Sequence, residues 1–318
     1  MKQNELLVVA LGGNAIKQAH ERGTTEEQFQ NIDATARQLA RLVRLGYGLA
    51  VTHGNGPQAG ALLIQQEESG SLVPAQSLAV CGAMTQGQIG WMLQNRIRFH
   101  LGSAGIERPC ASLVTQVVVD ENDPDFADPS KPVGPFYTRE EAAGLAETKG
   151  YTVREVKPGD EKGWRRVVPS PSPKEIVEAD LIRSLVSSGV ILIASGGGGV
   201  PVRRIGNGDL RGVDAVIDKD RAGFLLARTI DADRFIILTD VETVYLNIDT
   251  PERTPVHALT VDQAAGYMTE GHFLEGSMGP KVESCLDFTR VCGRESIITS
   301  LHTLEEALEG RTGTRFLP

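Results

Sequence analysis

Val190-Ile191-Leu192-Ile193-Ala194-Ser195-Gly196-Gly197-Gly198-Gly199-Val200-Pro201 is an apolar run that empties into four consecutive glycines. A run of branched side chains this short reads as a strand buried on both faces. Glycine gives up more backbone entropy on folding than any other residue, so four in a row persist only where the chain passes very close to something. At the carboxyl end of a parallel strand that something is often a phosphate held by bare N–H groups. A flexible loop is the competing reading, and repetition weighs against it. Leu6-Leu7-Val8-Val9-Ala10-Leu11 ends in Gly12-Gly13-Asn14, and Leu49-Ala50-Val51-Thr52 ends in His53-Gly54-Asn55-Gly56-Pro57. Three strands that discharge into glycine turns are expected to line one crevice.

Strand and helix signals alternate along the rest of the chain. Thr25-Glu26-Glu27-Gln28 reads as a capping box; Phe29, Ile32, Ala36, Leu39 and Val43 follow at helical steps, and Gly46 closes the helix. Ser172-Pro173-Lys174-Glu175 reads as another helix opening, with proline at the first helical position and the end at Gly189. Residues 235–239 and 296–299 read as buried strands, with helices over 220–230 and 281–291. This alternation predicts an α/β fold whose mostly parallel sheet carries helices on both faces. Residues 120–167 break the rhythm, with Pro124, Pro129, Pro132 and Pro135 close together. The stretch is too long for a simple loop. Its Phe126, Phe136, Tyr137, Tyr151 and Trp164 exceed what a disordered insertion usually carries. It is read as an inserted subdomain that protrudes over the sheet, a candidate lid.

The chain has 318 residues, 41% hydrophobic and 23% charged, which is enough for a large soluble α/β domain or two closely joined lobes. A formal charge of −9 argues against nucleic acid as a partner, because no basic stripe is available to neutralise phosphates. Cys81, Cys110, Cys285 and Cys292 form no CxxC pair and the six histidines are scattered, so neither a zinc site nor a disulfide framework is indicated. No segment approaches the ~18 apolar residues of a membrane span. A cytoplasmic protein is expected, without a membrane partner.

The phosphate loop GxxxxGK[ST] and the nucleophile elbow GxSxG are absent, and no GxGxxG follows the first strand. Lysines are the better lead. Met278-Gly279-Pro280-Lys281 places a cation in a first helical turn, where it opposes the helix dipole by about 0.3–1 kcal/mol unless an anion faces it. Ile217-Asp218-Lys219-Asp220 again sits at a helix start, with Asp220 able to hold lysine ammonium groups. Lys131 lies in a proline-stiffened stretch of the insertion, Lys131-Pro132-Val133-Gly134-Pro135. Taken singly, each lysine also reads as a solvated surface charge. Together they suggest phosphoryl transfer between two anions, which needs positive charge and N–H donors more than covalent catalysis. An anionic acceptor needs no general base, and His53 is read as a positioning residue.

The chain resembles the carbamate kinases of the amino acid kinase superfamily nearly end to end. The resemblance rests on Leu11-Gly12-Gly13-Asn14-Ala15, His53-Gly54-Asn55-Gly56-Pro57-Gln58, Lys131 to Tyr137, Trp164-Arg165-Arg166, Asp218-Lys219-Asp220, and Gly276-Ser277-Met278-Gly279-Pro280-Lys281-Val282. It implies a three-layer αβα sandwich with a mainly parallel eight-stranded sheet, a carbamoyl phosphate lobe over about 1–205 and a nucleotide lobe over about 206–318. It also implies a homodimer that converts ATP and carbamate reversibly to ADP and carbamoyl phosphate, mostly toward ATP in arginine catabolism, with Mg²⁺ carried by the nucleotide and no metal ligands of its own. Under the resemblance, Lys131 reaches the carbamoyl phosphate, Lys219 and Lys281 neutralise the transferring phosphoryl, and Asp220 organises them. Gly12, Gly13, Asn14, Gly54, Asn55, Gly56, Gly196, Gly197 and Gly198 match phosphate-cradling turns. Thr239, Asp240, Val241, Tyr245, Ser277, Met278 and Gly279 match the nucleotide site. Arg221, Ala59 and Trp91 depart from the expected pattern. Another acyl-phosphate-forming kinase of the superfamily and an inactive nucleotide-binding dimer are the alternatives.

Overall fold

The computed structural model describes residues 5–318 apart from 19, 249 and 274–277. In chain order, β1 (Leu6–Leu11) leads through α1 (Thr25–Arg44) to β2 (Gly48–His53), α2 (Gly56–Ser69), α3 (Leu78–Ser103), β3 (Cys110–Ser112) and β4 (Gln116–Val119). Then come β5 (Lys131–Tyr137), α4 (Arg139–Lys149), β6 (Val153–Glu155), β7 (Trp164–Val168), β8 (Pro173–Ile176), α5 (Ala179–Ser187), β9 (Ile191–Ile193), β10 (Val200–Arg204) and β11 (Leu210–Gly212). The remainder is α6 (Lys219–Thr229), β12 (Arg234–Thr239), β13 (Val244–Leu246), β14 (Thr254–Val256), β15 (Ala258–Thr260), α7 (Val261–Thr269), α8 (Met278–Cys292), β16 (Ser296–Ser300), α9 (Leu304–Leu308) and β17 (Thr314–Leu317).

Eight strands form the central sheet in the order β15-β17-β16-β12-β1-β2-β9-β3, parallel throughout except at β16/β17. The period-2 alternation of strand side chains divides the core in two. Leu7, Val9 and Leu11 of β1 pack on one face with Ile32, Ala36 and Leu39 of α1 and Ile89 and Leu93 of α3. Val8 and Ala10 pack on the other with Leu225 and Leu226 of α6 and Leu286 and Phe288 of α8. The result is the three-layer αβα sandwich expected from the alternation. A continuous branched run is required of these strands because neither face meets water.

Residues 131–168 build a sheet of their own, β5-β7-β6, with α4 packed beside it. Another sheet, β11-β10-β4-β8, packs against α3 and α6.

Two local readings of the sequence are corrected. The capping box belongs to Thr24 and Glu27, one residue earlier than expected: Thr24 accepts from Glu27 N, and the Glu27 carboxylate accepts from Thr24 N at 2.8 Å and Gly23 N at 2.7 Å. Residues 173–176 are strand, not helix; Ile176 and Glu175 pair antiparallel with Val117 and Val118. Ser172 caps nothing, and its N–H donates to Asp123 Oδ2 at 2.9 Å. Ladder pairing outweighs the local helix signal, and Pro173 is tolerated because β8 lies at a sheet edge. The helix itself begins at Ala179 and does end before Gly189, whose φ is +83°.

Candidate active site

The three glycine turns meet because β1, β2 and β9 are neighbours in the sheet. What the four-glycine run passes close to is first of all protein. A Cβ on Gly196 would lie 2.3 Å from His53 Nε2, and one on Gly197, at φ +64°, would lie 2.2 Å from Asn55 Nδ2. The Gly198 N–H donates to Ser195 O at 3.1 Å, so that amide is engaged in the turn itself. His53 is buried, and burial pushes its imidazole down to about 4. Its Nδ1 lies 2.9 Å from Gly54 O; a carbonyl only accepts, so Nδ1 carries the proton and the ring is a neutral spacer between turns. This is the positioning role expected for it.

Above these turns opens a cavity of about 690 Å³. Its wall includes Gly13, Gly54, Asn55, Gly56 and Gly197 from the turns, together with Lys131, Lys219, Asp220 and Lys281. Asp220 is 2% exposed and holds two of the lysines, one on each oxygen: Lys219 Nζ at 2.5 Å from Oδ1 and Lys281 Nζ at 3.4 Å from Oδ2. The lysines come from the starts of α6 and α8, which pack against each other. Lys131 arrives from β5 and donates to Asp218 Oδ2 at 2.8 Å. Asp218 is also the cap of α6, its Oδ1 accepting from Asp220 N at 2.9 Å. Burial pushes the Asp218 carboxyl up, but the Lys131 and Lys219 ammonium groups and the Asp220 N–H together hold it well below the usual carboxylate range.

Lys17 and Arg165 also line the cavity, so five cationic side chains face two carboxylates. Sequence reasoning missed Lys17 and Arg165 as site residues and gave Asp218 no part of its own. The Asp-Lys-Asp triplet at a helix start contained a signal for Asp218, since aspartate is a preferred cap. Lys17 carries no local signal. Arg221, one of the departures, pairs with Glu283 of α8 at 3.0 Å, which directs its charge along the helix pair.

Other expected residues lie apart. Gly12, Asn14, Thr239 and Asp240 line a second, smaller cavity of about 210 Å³ with Ser300 and His302. Gly196, Gly198, Val241, Tyr245, Met278 and Gly279 line neither, although Met278 and Gly279 precede Pro280 and Lys281 of the main cavity in α8. Ser277 lies outside the described residues. Among the described residues no group of three or more His, Cys, Asp or Glu converges as a metal cage. No described helix is long and apolar enough to cross a membrane.

The family model for the amino acid kinase family matches residues 5–300. A carbamate kinase of Thermococcus kodakarensis is 51% identical over 312 residues, covering 97% of this chain and 98% of the relative. Carbamate kinase 2 of Enterococcus faecalis is 46% identical, covering 97% of each. The solved structure of carbamate kinase from Giardia lamblia bound to AMP-PNP has a TM-score of 0.92 at 42% identity, over 99% of this chain and 98% of that one. UMP kinase from Ureaplasma parvum, at 12% identity and a TM-score of 0.54, shares the fold alone. The chain belongs to the amino acid kinase family. It is an enzyme of the carbamate kinase type, as its close likeness over the full length to proteins of that name establishes.

Proposed function

We propose that the cavity carries reversible phosphoryl transfer between ATP and carbamate, giving ADP and carbamoyl phosphate, and runs toward ATP in catabolism. The observation that carries this reading is the buried Asp220 with a lysine on each oxygen, facing the same cavity as Lys131. In the direction of carbamoyl phosphate, a carbamate oxygen forms a bond to the γ-phosphorus while the bond from that phosphorus to the bridging oxygen breaks, its electron pair leaving with ADP. No proton moves, so no general base is required. Lys219 and Lys281 neutralise the transferring group; Lys131 binds the carbamoyl phosphate end. Of the turns, Gly13, Asn55, Gly56 and Gly197 offer N–H donors to the phosphates, whereas the amides of Gly12, Gly54 and Gly198 are spent on Leu238 O, Leu11 O and Ser195 O. Thr239, Asp240, Val241, Tyr245, Met278 and Gly279 are proposed to form the nucleotide side. Because the lysines are held before substrate arrives, little reorganisation is needed in the transition state.

Both cavity carboxylates are engaged by lysines. These residues would suit a Mg²⁺ ion that arrives on the nucleotide, beside Asp218 and Asp220, rather than one held in a protein cage. When bound it supplies charge neutralisation at the phosphate oxygens.

Residues 120–167 are proposed as the lid, with the carbamoyl phosphate lobe over about 1–205 and the nucleotide lobe over about 206–318. A homodimer is supported by α3, where Val80, Met84 and Trp91 lie 42%, 44% and 56% exposed along one helical stripe. A cytoplasmic location is in keeping with four free cysteines. The deciding experiment mixes the protein with ADP, Mg²⁺ and carbamoyl phosphate and follows ATP. Formation of ATP is expected. No ATP at any substrate concentration overturns the reading, and phosphorylation of N-acetylglutamate by ATP would point to the other acyl-phosphate kinases.

A further inference from the structure

Arg165 lies on β7 opposite a break in the register of β5, where Val133 pairs with Arg166 and Tyr137 with Trp164. The intervening bulge turns at Gly134, whose φ of +72° aims its carbonyl at the guanidinium: Arg165 Nη2 donates to Gly134 O at 2.7 Å. The Phe136 ring covers one face, 4.9 Å from Cζ. Arg165 lines the same cavity as Lys131, and its Nε is buried with no hydrogen-bond partner among the described residues. A buried donor on a cation is costly to leave unmatched, and a planar fork that a bulge and an aromatic ring hold still suits a planar acceptor. Lysine ammonium groups, by contrast, act as point charges suited to phosphoryl oxygens.

We infer that Arg165 is a specificity-determining residue that hydrogen-bonds the planar carbamoyl or carbamate oxygen end of the substrate, leaving the phosphoryl group to the lysines. The inference rests on the proposed reading of the cavity as a carbamoyl phosphate site. Gly134 at the bulge and Phe136 beside it then serve to aim the guanidinium.

The test is steady-state kinetics in the ATP-forming direction on Arg165→Lys and Arg165→Gln, with inorganic phosphate as a competing ligand. The wild-type protein is assayed first, and failure there sinks the proposed function rather than this inference. Given wild-type turnover, Arg165→Lys is expected to raise KM for carbamoyl phosphate about 10–100-fold, with KM for ADP and the inhibition constant of phosphate within threefold of wild type. Arg165→Gln, which keeps a neutral donor, is expected to lie at or beyond the same loss. A purely structural role predicts a lowered Tm with KM for both substrates unchanged, and that outcome overturns the inference. Equal loss of affinity for phosphate and carbamoyl phosphate also overturns it, because Arg165 would then bind the phosphoryl group.

Discussion

Each charged residue of the cavity is expected to do separable work. Lys131→Ala should impair use of carbamoyl phosphate by about 10²–10³-fold, the loss expected for a charge-stabilising group, while ADP affinity stays within a few-fold. Lys281→Ala should impair turnover comparably and weaken ADP binding as well, if α8 begins on the nucleotide side as proposed. Kinetics with ADP binding followed by calorimetry distinguish the two; normal turnover of Lys131→Ala would return that lysine to an ordinary surface role, and equal loss of both ligands would overturn the lid reading. His53 makes a different contribution. Its imidazole stays neutral down to about pH 4 when folded, whereas in the unfolded chain it binds a proton near 6.5. Between those values the unfolded state holds more protons, so the contribution is complete above pH 6.5 and is lost as the pH falls toward 4, by up to about 3 kcal/mol. Urea unfolding at pH 7 and pH 4.5 should show this slope in the wild type and a much shallower one in His53→Gln.

At the level of elements, the capping register is a sharp target. Thr24→Ala should cost about 1 kcal/mol, because Thr24 is the residue whose hydroxyl accepts from Glu27 N, whereas Thr25→Ala should be near neutral. Chemical denaturation of the two variants decides it, and the reverse order would restore the reading from sequence. The buried strands β1, β2, β9, β12 and β16 were legible since residues shielded on both faces must be branched and apolar. Residues 173–176 were not, because Ser-Pro-Lys-Glu is locally a good helix start and only the distant partner β4 makes it a strand. The 26-residue α3 carries a weak helical signal, which Gly82, Gly87 and Gly90 dilute. Gly90 is there for packing, since a Cβ on it would lie 2.0 Å from Ser112 Oγ of β3. In the site, Lys219 and Lys281 were legible from helix starts. Lys17 and Arg165 were not, because their proximity to the other cations exists only in three dimensions.

For the whole molecule, an acidic chain of −9 concentrates five cations around one cavity, which fits anionic substrates held locally rather than captured from afar. The exposed stripe of α3 carries the expectation about assembly. Trp91→Arg should shift the protein toward monomer in sedimentation velocity, with secondary structure retained; an unchanged sedimentation coefficient would place any self-association elsewhere. The interlocked turns bear on mutational history. Gly196 is fitted against the His53 ring and Gly197 against the Asn55 amide, so the two crevice loops cannot drift independently. A larger residue at 196 is tolerable only alongside a smaller one at 53, which makes the pair epistatic: Gly196→Ala should be strongly deleterious alone and milder combined with His53→Ala than the sum of the single effects. Substitutions between these loops are thereby expected to be accepted in pairs, through a bottleneck that keeps the crevice unchanged while the surrounding surface diverges.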